Sequence, residues 1–344
     1  MRLFLYEYAC AQPASVLLPV SVRREGQAMF EAVLEDARKL APRLEVITLP
    51  TQDYYSQADY ALIIAPEFDG ILERLAREAL AAGCRLLGPL PEAIRLTADK
   101  WELYQFWKRR GVPTPVTWLH DQLPVVPGKY VTKHRYGAGS LGVAWWNPAE
   151  PLSINHLVHC HNNQMGLKDG YQPAALARDA LQLRDVPLLA QRAGINRIPV
   201  HLSDNTLVQA YVEGIPVSIA LLISLDGTIT PLLPALQIMN ERFEYLGGAF
   251  LDNEQFCERV VRLATTAVEE IPGLQGYVGV DAILGQSAEG VGDMVLEINP
   301  RLTTSYLGLR RATENNLLKC MLEAQSCDKV VPINWFPEGI KWTS

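Results

Sequence analysis

Two hydrophobic periods alternate through the first 95 residues. RLFLYEY (2–8), RLEVITL (43–49), DYALIIA (59–65) and CRLLG (84–88) are short apolar runs that read as strands. Between them apolar positions recur at helical spacing: Phe30, Val33, Leu34 and Ala37 within 24–41, then Ile71, Leu72, Leu75, Ala76 and Ala79 within 67–82, stopped by Gly83. Strand–helix alternation predicts a parallel sheet with both faces covered. A helix is predicted over 98–110 (ADKWELYQFWKRR), closed by Gly111 and Pro113. The grammar then changes. YVTKH (130–134), LGVAWW (141–146), NTLVQAYV (205–212), PVSIALLI (216–223), GYVGVDAIL (276–284) and DMVLEIN (293–299) read as strands, and LDG at 225–227 as a hairpin turn. The pattern predicts an α/β part followed by an α+β part.

Composition narrows the class. The chain has 344 residues, 49% hydrophobic, with a formal net charge of −7. That suits a large core and argues against a general nucleic-acid binder, which needs clustered Lys and Arg. The six cysteines form no C-x-x-C pair and read as free thiols in a reducing cytosol. MRLFLYEYACAQPAS resembles a secretory signal superficially, but Glu7 interrupts a short apolar run and a first strand is the better reading. No apolar run approaches the ~18 residues a membrane span needs. The expectation is a cytoplasmic protein with no membrane and no nucleic-acid partner, its oligomeric state open.

KHRYGAGSLGV (133–143) contains a G-x-G-x-x-G string. The glycines lead into VAWWNP, which does not start a helix, so a dinucleotide fingerprint does not fit. The H-R-D, D-F-G and A-P-E signatures of a kinase are missing, as is the Gly-Lys-Ser/Thr of a Walker loop. Two readings remain: an ordinary turn, or a flap between antiparallel strands whose backbone N–H groups hold phosphate beside Lys133.

The carboxylates add a second feature. GYVGVDAILGQSAEGVGDMVLEINPR (276–301) reads as two strands around a glycine-rich turn. If the turn centres near Glu289, Asp281 and Glu297 are equidistant from it and face each other. Residues i and i+2 share a face, so Asn299 joins them. Two carboxylates and an amide oxygen suit Mg²⁺ or Mn²⁺ held together with phosphates. Arg301, two residues on, can reach a phosphate or a developing anion. The alternative is a hairpin with solvated acidic residues, but the surrounding run is apolar and a carboxylate there needs a partner. In LVQAYVEGIPVS (207–218), backbone at Ala210–Val212 could pair with an adenine edge and Gln209 could reach its amino group, although on its own this is only a strand. His156, His159, Cys160 and His161 lie close together, but no second ligand cluster exists and a polar surface loop is the plainer reading than zinc.

In this order, TADKWELYQFWKRRGVPTP (97–115), KHRYGAGSLGV, LVQAYVEG (207–214), GYVGVDAIL and LEINPRLTTS (296–305) resemble the ATP-grasp superfamily of carboxylate–amine ligases. The resemblance implies an α/β pre-ATP-grasp domain with a parallel sheet over 1–95, followed by an α+β ATP-grasp fold of two subdomains. These would be a small one with the flap and adenine hinge over 96–215, and a large one with the metal site over 216–325, leaving a tail at 326–344. By position it implies Lys100 and Lys133 as ATP-binding lysines and Gly137, Gly139, Ser140 and Gly142 as the flap. Gln209, Ala210, Tyr211 and Val212 would be the hinge, Asp281, Glu297 and Asn299 the metal ligands, and Arg301 the contact to the transferring group. The cofactors implied are ATP and Mg²⁺ or Mn²⁺, and the partners a small-molecule carboxylate and an amine. The activity implied is ADP-forming amide synthesis through an acyl phosphate; a dipeptide ligase, a small-molecule kinase and a non-catalytic nucleotide-binding module are the alternatives. Glu7-Tyr8, LIIAPEFDGIL (62–72), FEYLGG (243–248) and EINPRLTTSYLGL (297–309) resemble the branch that joins glutamate to tyramine in methanofuran-type cofactor synthesis. Two departures stand out. His134 follows Lys133, and Ile215-Pro216 stand where an acidic residue for the ribose often follows the hinge glycine, with Glu213 as a candidate substitute.

Overall fold

The computed structural model describes residues 1–13, 18, 20–48, 55–124, 128–137, 143–146, 204–326 and 332–343. Gly139, Ser140, Gly142 and the His156–His161 cluster lie outside them.

The N-terminal pattern folds as its periodicity predicts. β1 (Arg2–Glu7), α1 (Tyr8–Ala11), α2 (Val20–Arg38), β2 (Glu45–Ile47), β3 (Tyr60–Ile64), α3 (Ile71–Ala81) and β4 (Arg85–Leu86) follow in order. The four strands form a parallel sheet in the order β2-β1-β3-β4. β3 is buried along its whole length, as expected of a parallel strand covered on both faces. Most elements end a few residues inside the predicted bounds, but α2 begins at Val20, ahead of the predicted start at residue 24.

The helix predicted over 98–110 is α5 (Lys100–Arg110), and a helix that the sequence reading did not include, α4 (Pro91–Ala98), precedes it. The break is Asp99, whose extended backbone lets its carboxylate accept from the N–H groups of Trp101 and Glu102 at 3.0 and 3.2 Å. This is an N-cap, and it satisfies donors that the new helix cannot bond internally. Gly111 closes α5 in the left-handed conformation. Trp107 is fully buried and donates its indole N–H to the Ala267 carbonyl at 2.9 Å.

A second sheet is antiparallel: β5 (Thr117–Leu119), β6 (Tyr130–His134), β7 (Ala144–Trp146) and β8 (Thr206–Ala210), in the order β5-β8-β6-β7. A third sheet has seven strands. β9 (Ile215–Ile223), β10 (Ile229–Pro231), β11 (Ala235–Met239) and β12 (Tyr245–Phe250) lead to helix α6 (Glu254–Val268). β13 (Gly276–Leu284), β14 (Met294–Asn299), the short helix α7 (Tyr306–Leu309), α8 (Leu317–Ala324) and β15 (Lys341–Thr343) complete it. The main path is β14-β13-β9-β11-β12-β15, with β10 on β9 across the LDG turn, where Gly227 has a positive φ. The apolar stripe of α6, through Val260, Leu263, Ala264 and Ala267, covers one face of this sheet together with Leu103 and Trp107 of α5. The other face shares a core with α2, α7 and α8. Gly214 enters this sheet where a Cβ would stand 2.2 Å from the Leu284 carbonyl oxygen, so the chain passes there only without a side chain. The architecture is therefore a parallel α/β domain followed by an α+β fold with two antiparallel sheets.

Candidate active site

The hairpin register is the one the spacing predicts. Asp281 on β13 pairs directly with Glu297 on β14, and a bulge follows at Asp281/Ala282. Asn299 donates its amide N–H to Asp281 Oδ2 at 3.0 Å, so it faces the same patch. β11 adds a residue the spacing could not show: Gln237 donates to Asp281 Oδ1 at 2.9 Å.

Lys100 and Lys133 come to this patch from separate elements. Lys133 is on β6 and is 8% exposed. Lys100 opens α5, and its backbone N–H donates to the Arg135 carbonyl at 3.1 Å. The Asp99 cap fixes that junction, because the same carboxylate accepts from Arg135 at 2.8 and 2.7 Å and from the Tyr136 hydroxyl at 3.1 Å. The Lys100 ammonium donates to the Gly137 carbonyl at the root of the glycine-rich segment and stands 3.3 Å from Glu297 Oε2.

The electrostatics follow from burial and neighbours. Asp281 is pushed up to about 7, first by burial and then by the Glu297 charge, against the Asn299 hydrogen bond. Burial also works against the Glu297 charge, yet Lys100 and Lys133 hold Glu297 below the ordinary carboxylate value. Lys133 is lowered to about 8 by burial, opposed by Glu297 and reinforced by Lys100. Two facing carboxylates, one of which resists ionising, form a site that gains from an added cation. The donor set is oxygen-rich, as Mg²⁺ or Mn²⁺ requires. Among the described residues no group of three or more His, Cys, Asp or Glu side chains could hold a metal ion, so the two carboxylates would need amide or ligand oxygens to complete a site.

One cleft joins these groups. Lys100, Lys133, His134, Gly137, Gln209, Ala210, Tyr211, Val212, Gln237, Asp281 and Glu297 line it, with Val131, Val143, Pro216, Met239, Phe243, Ile283 and Leu296 as its apolar part. It encloses about 900 Å³, open mouth included, within the usual size of small-molecule sites. The polar groups and this apolar set share the one cleft.

Other residues singled out in the sequence take specific positions. Asn299 sits behind Asp281 and does not line the cleft. Arg301 is nearly buried and pairs through Nε with Glu67 Oε1 at 2.9 Å, while its charge still reaches Glu297. Gln209 is buried and donates to Thr117 Oγ1 at 2.9 Å, so only its Oε1 can accept from a base's amino group. The N–H groups of Ala210 and Tyr211 donate to the carbonyls of Val116 and Lys129, both at 2.9 Å, and are not available to a base edge. Glu213 pairs with Lys129 at 2.5 Å in solvent and is not a lining residue. Gln237, Met239, Phe243 and Glu67 were missed. The first three lie on β11 or the turn after it; Gln237 and Met239 fall in the alternating run A-L-Q-I-M, and Phe243 opens FEYLGG without having been given a role.

A parallel α/β domain followed by two antiparallel sheets that meet at a lysine-and-carboxylate cleft is the arrangement that the resemblance to ATP-grasp proteins implies. In agreement, a family model for the ATP-grasp domain matches residues 191–305, and one for the pre ATP-grasp 3 domain matches residues 46–94. The first match holds the strands that carry Asp281 and Glu297, and the second lies in the parallel sheet that precedes them. Among individual proteins it is similar to the tyramine–L-glutamate ligase of Methanocaldococcus fervens, 28% identical over 265 residues. That match spans 77% of this chain and 65% of the relative. The enzyme of the same name from Methanocaldococcus jannaschii is 27% identical over 252 residues, 73% of this chain and 58% of the relative. The chain therefore spans less than two thirds of the length of either. Among solved structures, an ATP-grasp superfamily protein from Archaeoglobus fulgidus aligns over 97% of this chain and 90% of its own, with a TM-score of 0.63 and 26% identity. D-alanine–D-alanine ligase from Bacillus anthracis complexed with ATP aligns over 94% and 97%, with a TM-score of 0.59 and 12% identity, a likeness of fold alone.

Proposed function

We propose that this protein is an ATP-dependent carboxylate–amine ligase that joins glutamate to tyramine with release of ADP and phosphate. The observation that carries the reading is the convergence of Lys100, Lys133, Asp281 and Glu297 on one cleft. Its apolar part shares the cleft with the hinge residues Ala210 to Val212. The similarity to the two tyramine–L-glutamate ligases supports the substrate pair.

In this reading the purine lies among Val131, Val143, Met239, Ile283 and Leu296, and the triphosphate points towards Lys100 and Lys133. Gly137, which lines the cleft and accepts from Lys100, stands beside the phosphates. Asp281, Glu297 and Asn299 would hold Mg²⁺ or Mn²⁺, which when bound offsets the charge of the phosphates during transfer. The glutamate carboxylate attacks the γ-phosphorus and its bond to the bridging oxygen breaks, giving an acyl phosphate and ADP. The amine of tyramine then adds to the acyl carbon, loses a proton, and phosphate leaves. Lys100 and Lys133 stabilise phosphate negative charge, and Arg301 faces the transferring group. No side-chain nucleophile is required: positioning and fixed charge do the chemistry.

The test is ADP release across a substrate panel. Glutamate with tyramine should give stoichiometric ADP, phosphate and amide, and neither substrate alone should sustain turnover. Amide formed from amino-acid pairs instead would replace the substrate assignment. A stable phosphorylated product without amide would replace the reaction class.

A further inference from the structure

Three aromatic side chains on three separate elements cluster at the cleft, two of them lining it. Trp145 is on β7, Tyr211 follows β8, and Phe243 is in the turn between β11 and β12. Their ring centroids lie 4.5 Å (Trp145–Tyr211), 5.1 Å (Trp145–Phe243) and 6.4 Å (Tyr211–Phe243) apart, within the range of favourable aromatic pairing. Tyr211 and Phe243 line the cleft, and Trp145 packs behind both while remaining 44% exposed. Two of the rings belong to the sheet that carries Lys133 and the third to the sheet that carries Asp281 and Glu297. The cluster is therefore a bridge between the two walls of the cleft.

Phe243 is held there at a conformational cost. Its φ is +62°, a left-handed backbone that a bulky residue rarely adopts. Asn240 fixes the turn: its Oδ1 accepts from the N–H groups of Arg242 and Glu244 at 2.9 and 3.0 Å, and its carbonyl accepts from Phe243 N–H at 3.0 Å. A glycine would suit this position better for the backbone alone, so the ring has a use beyond the turn. The charged alternative, Glu213, is occupied elsewhere, since it pairs with Lys129 outside the cleft.

We infer that Tyr211 and Phe243, braced by Trp145, form an aromatic latch on the nucleoside end of a bound purine nucleotide, holding base and sugar by ring contact. The latch rests on the nucleotide-binding reading of the cleft and adds the Phe243 and Trp145 rings to the hinge residue Tyr211. Ring contact supplies affinity without hydrogen-bond readout, because every nucleoside presents an apolar face. Trp145 packs against both rings without lining the cleft and is a positioning residue.

The experiment is equilibrium binding of ADP with Mg²⁺ to the full chain, followed by calorimetry and by tryptophan fluorescence. Phe243→Gly removes the ring and relaxes the backbone, so the ligand-free thermal midpoint should hold or rise. Its ADP dissociation constant should increase by about tenfold or more, the scale of one lost base–aromatic contact. Trp145→Ala should weaken binding, Trp145→Phe should restore most of it, and the nucleotide-induced fluorescence change should be absent from Trp145→Phe. Wild-type affinity in Phe243→Gly overturns the latch and leaves the nucleotide site standing. Equal weakening in Trp145→Ala and Trp145→Phe, or a full fluorescence change in the latter, removes Trp145 from it. Absence of ADP binding to the wild-type chain overturns both the latch and the reading beneath it.

Discussion

Asp281 and Glu297 stand opposite each other on adjacent antiparallel strands, with Lys100 3.3 Å from the second and Gln237 2.9 Å from the first. Each carboxylate thus has its own neighbour, and the pair takes opposite shifts: Asp281 upwards and Glu297 downwards. The first prediction concerns the charged member. Glu297→Gln keeps the shape and removes the charge that Lys100 and Lys133 face. ADP-forming turnover should fall by roughly 10²–10³-fold, the scale of one lost preorganised electrostatic group. The circular dichroism spectrum should stay native. Unimpaired turnover would remove Glu297 from the chemistry.

The second prediction follows from Asp281. Its folded-state value of about 7 lies above the ordinary carboxylate value. The folded form therefore binds a proton that the unfolded chain releases, and this contribution to stability is full below about pH 4 and lost as pH rises towards 7. In metal-free protein, Asp281→Asn should raise the thermal midpoint more at pH 8 than at pH 5. Mg²⁺ should stabilise wild type more at pH 8 than at pH 5, because binding requires the ionised carboxylate. A pH-independent difference between variant and wild type would contradict the assignment.

Lys133 is the third test. It is buried beside Lys100 and Glu297, and burial lowers its value to about 8. Lys133→Ala should raise the KM for ATP by roughly 10–100-fold, the worth of one charge-assisted hydrogen bond. A steady-state titration with ATP at saturating acceptor measures this, and an unchanged KM would separate Lys133 from the phosphates.

The fourth test concerns Glu67 and Arg301, which pair at 2.9 Å with side chains only 5% and 13% exposed. Removing one partner of a buried ion pair costs on the order of 3–5 kcal/mol. Glu67→Gln should therefore lower the denaturation midpoint clearly. Because the two residues share one interaction, Glu67→Gln with Arg301→Gln should destabilise by less than the sum of the single variants. Strict additivity would mean that the pair contributes nothing.

Much of the site was legible because its central part is local. β13 and β14 are joined by a short turn, and in an antiparallel ribbon the turn dictates the register. Asp281 and Glu297 could therefore be set opposite each other by counting from Glu289, and Asn299 followed from the two-residue strand repeat. Lys133 was found because it interrupts an apolar strand. The break at Asp99 was not found, although its signal is local: Asp is a favoured N-cap, and its carboxylate accepts from the N–H groups two and three residues on. β11 was missed because its burial is mixed along the strand, and Gln237 was missed with it.

The amino-acid order by itself determined the parallel first sheet, the strands that carry Lys133, Asp281 and Glu297, and the pairing across the last hairpin. Hydrophobic period and turn spacing act over a few residues and need no partner to be read. Tertiary structure decided which distant groups come together: Lys100 against Glu297, Gln237 against Asp281, Glu67 against Arg301 across 234 positions, and three aromatic rings at one cleft. Those contacts depend on how whole sheets pack against each other, and packing is set by the summed burial of many side chains, which no short stretch of sequence contains.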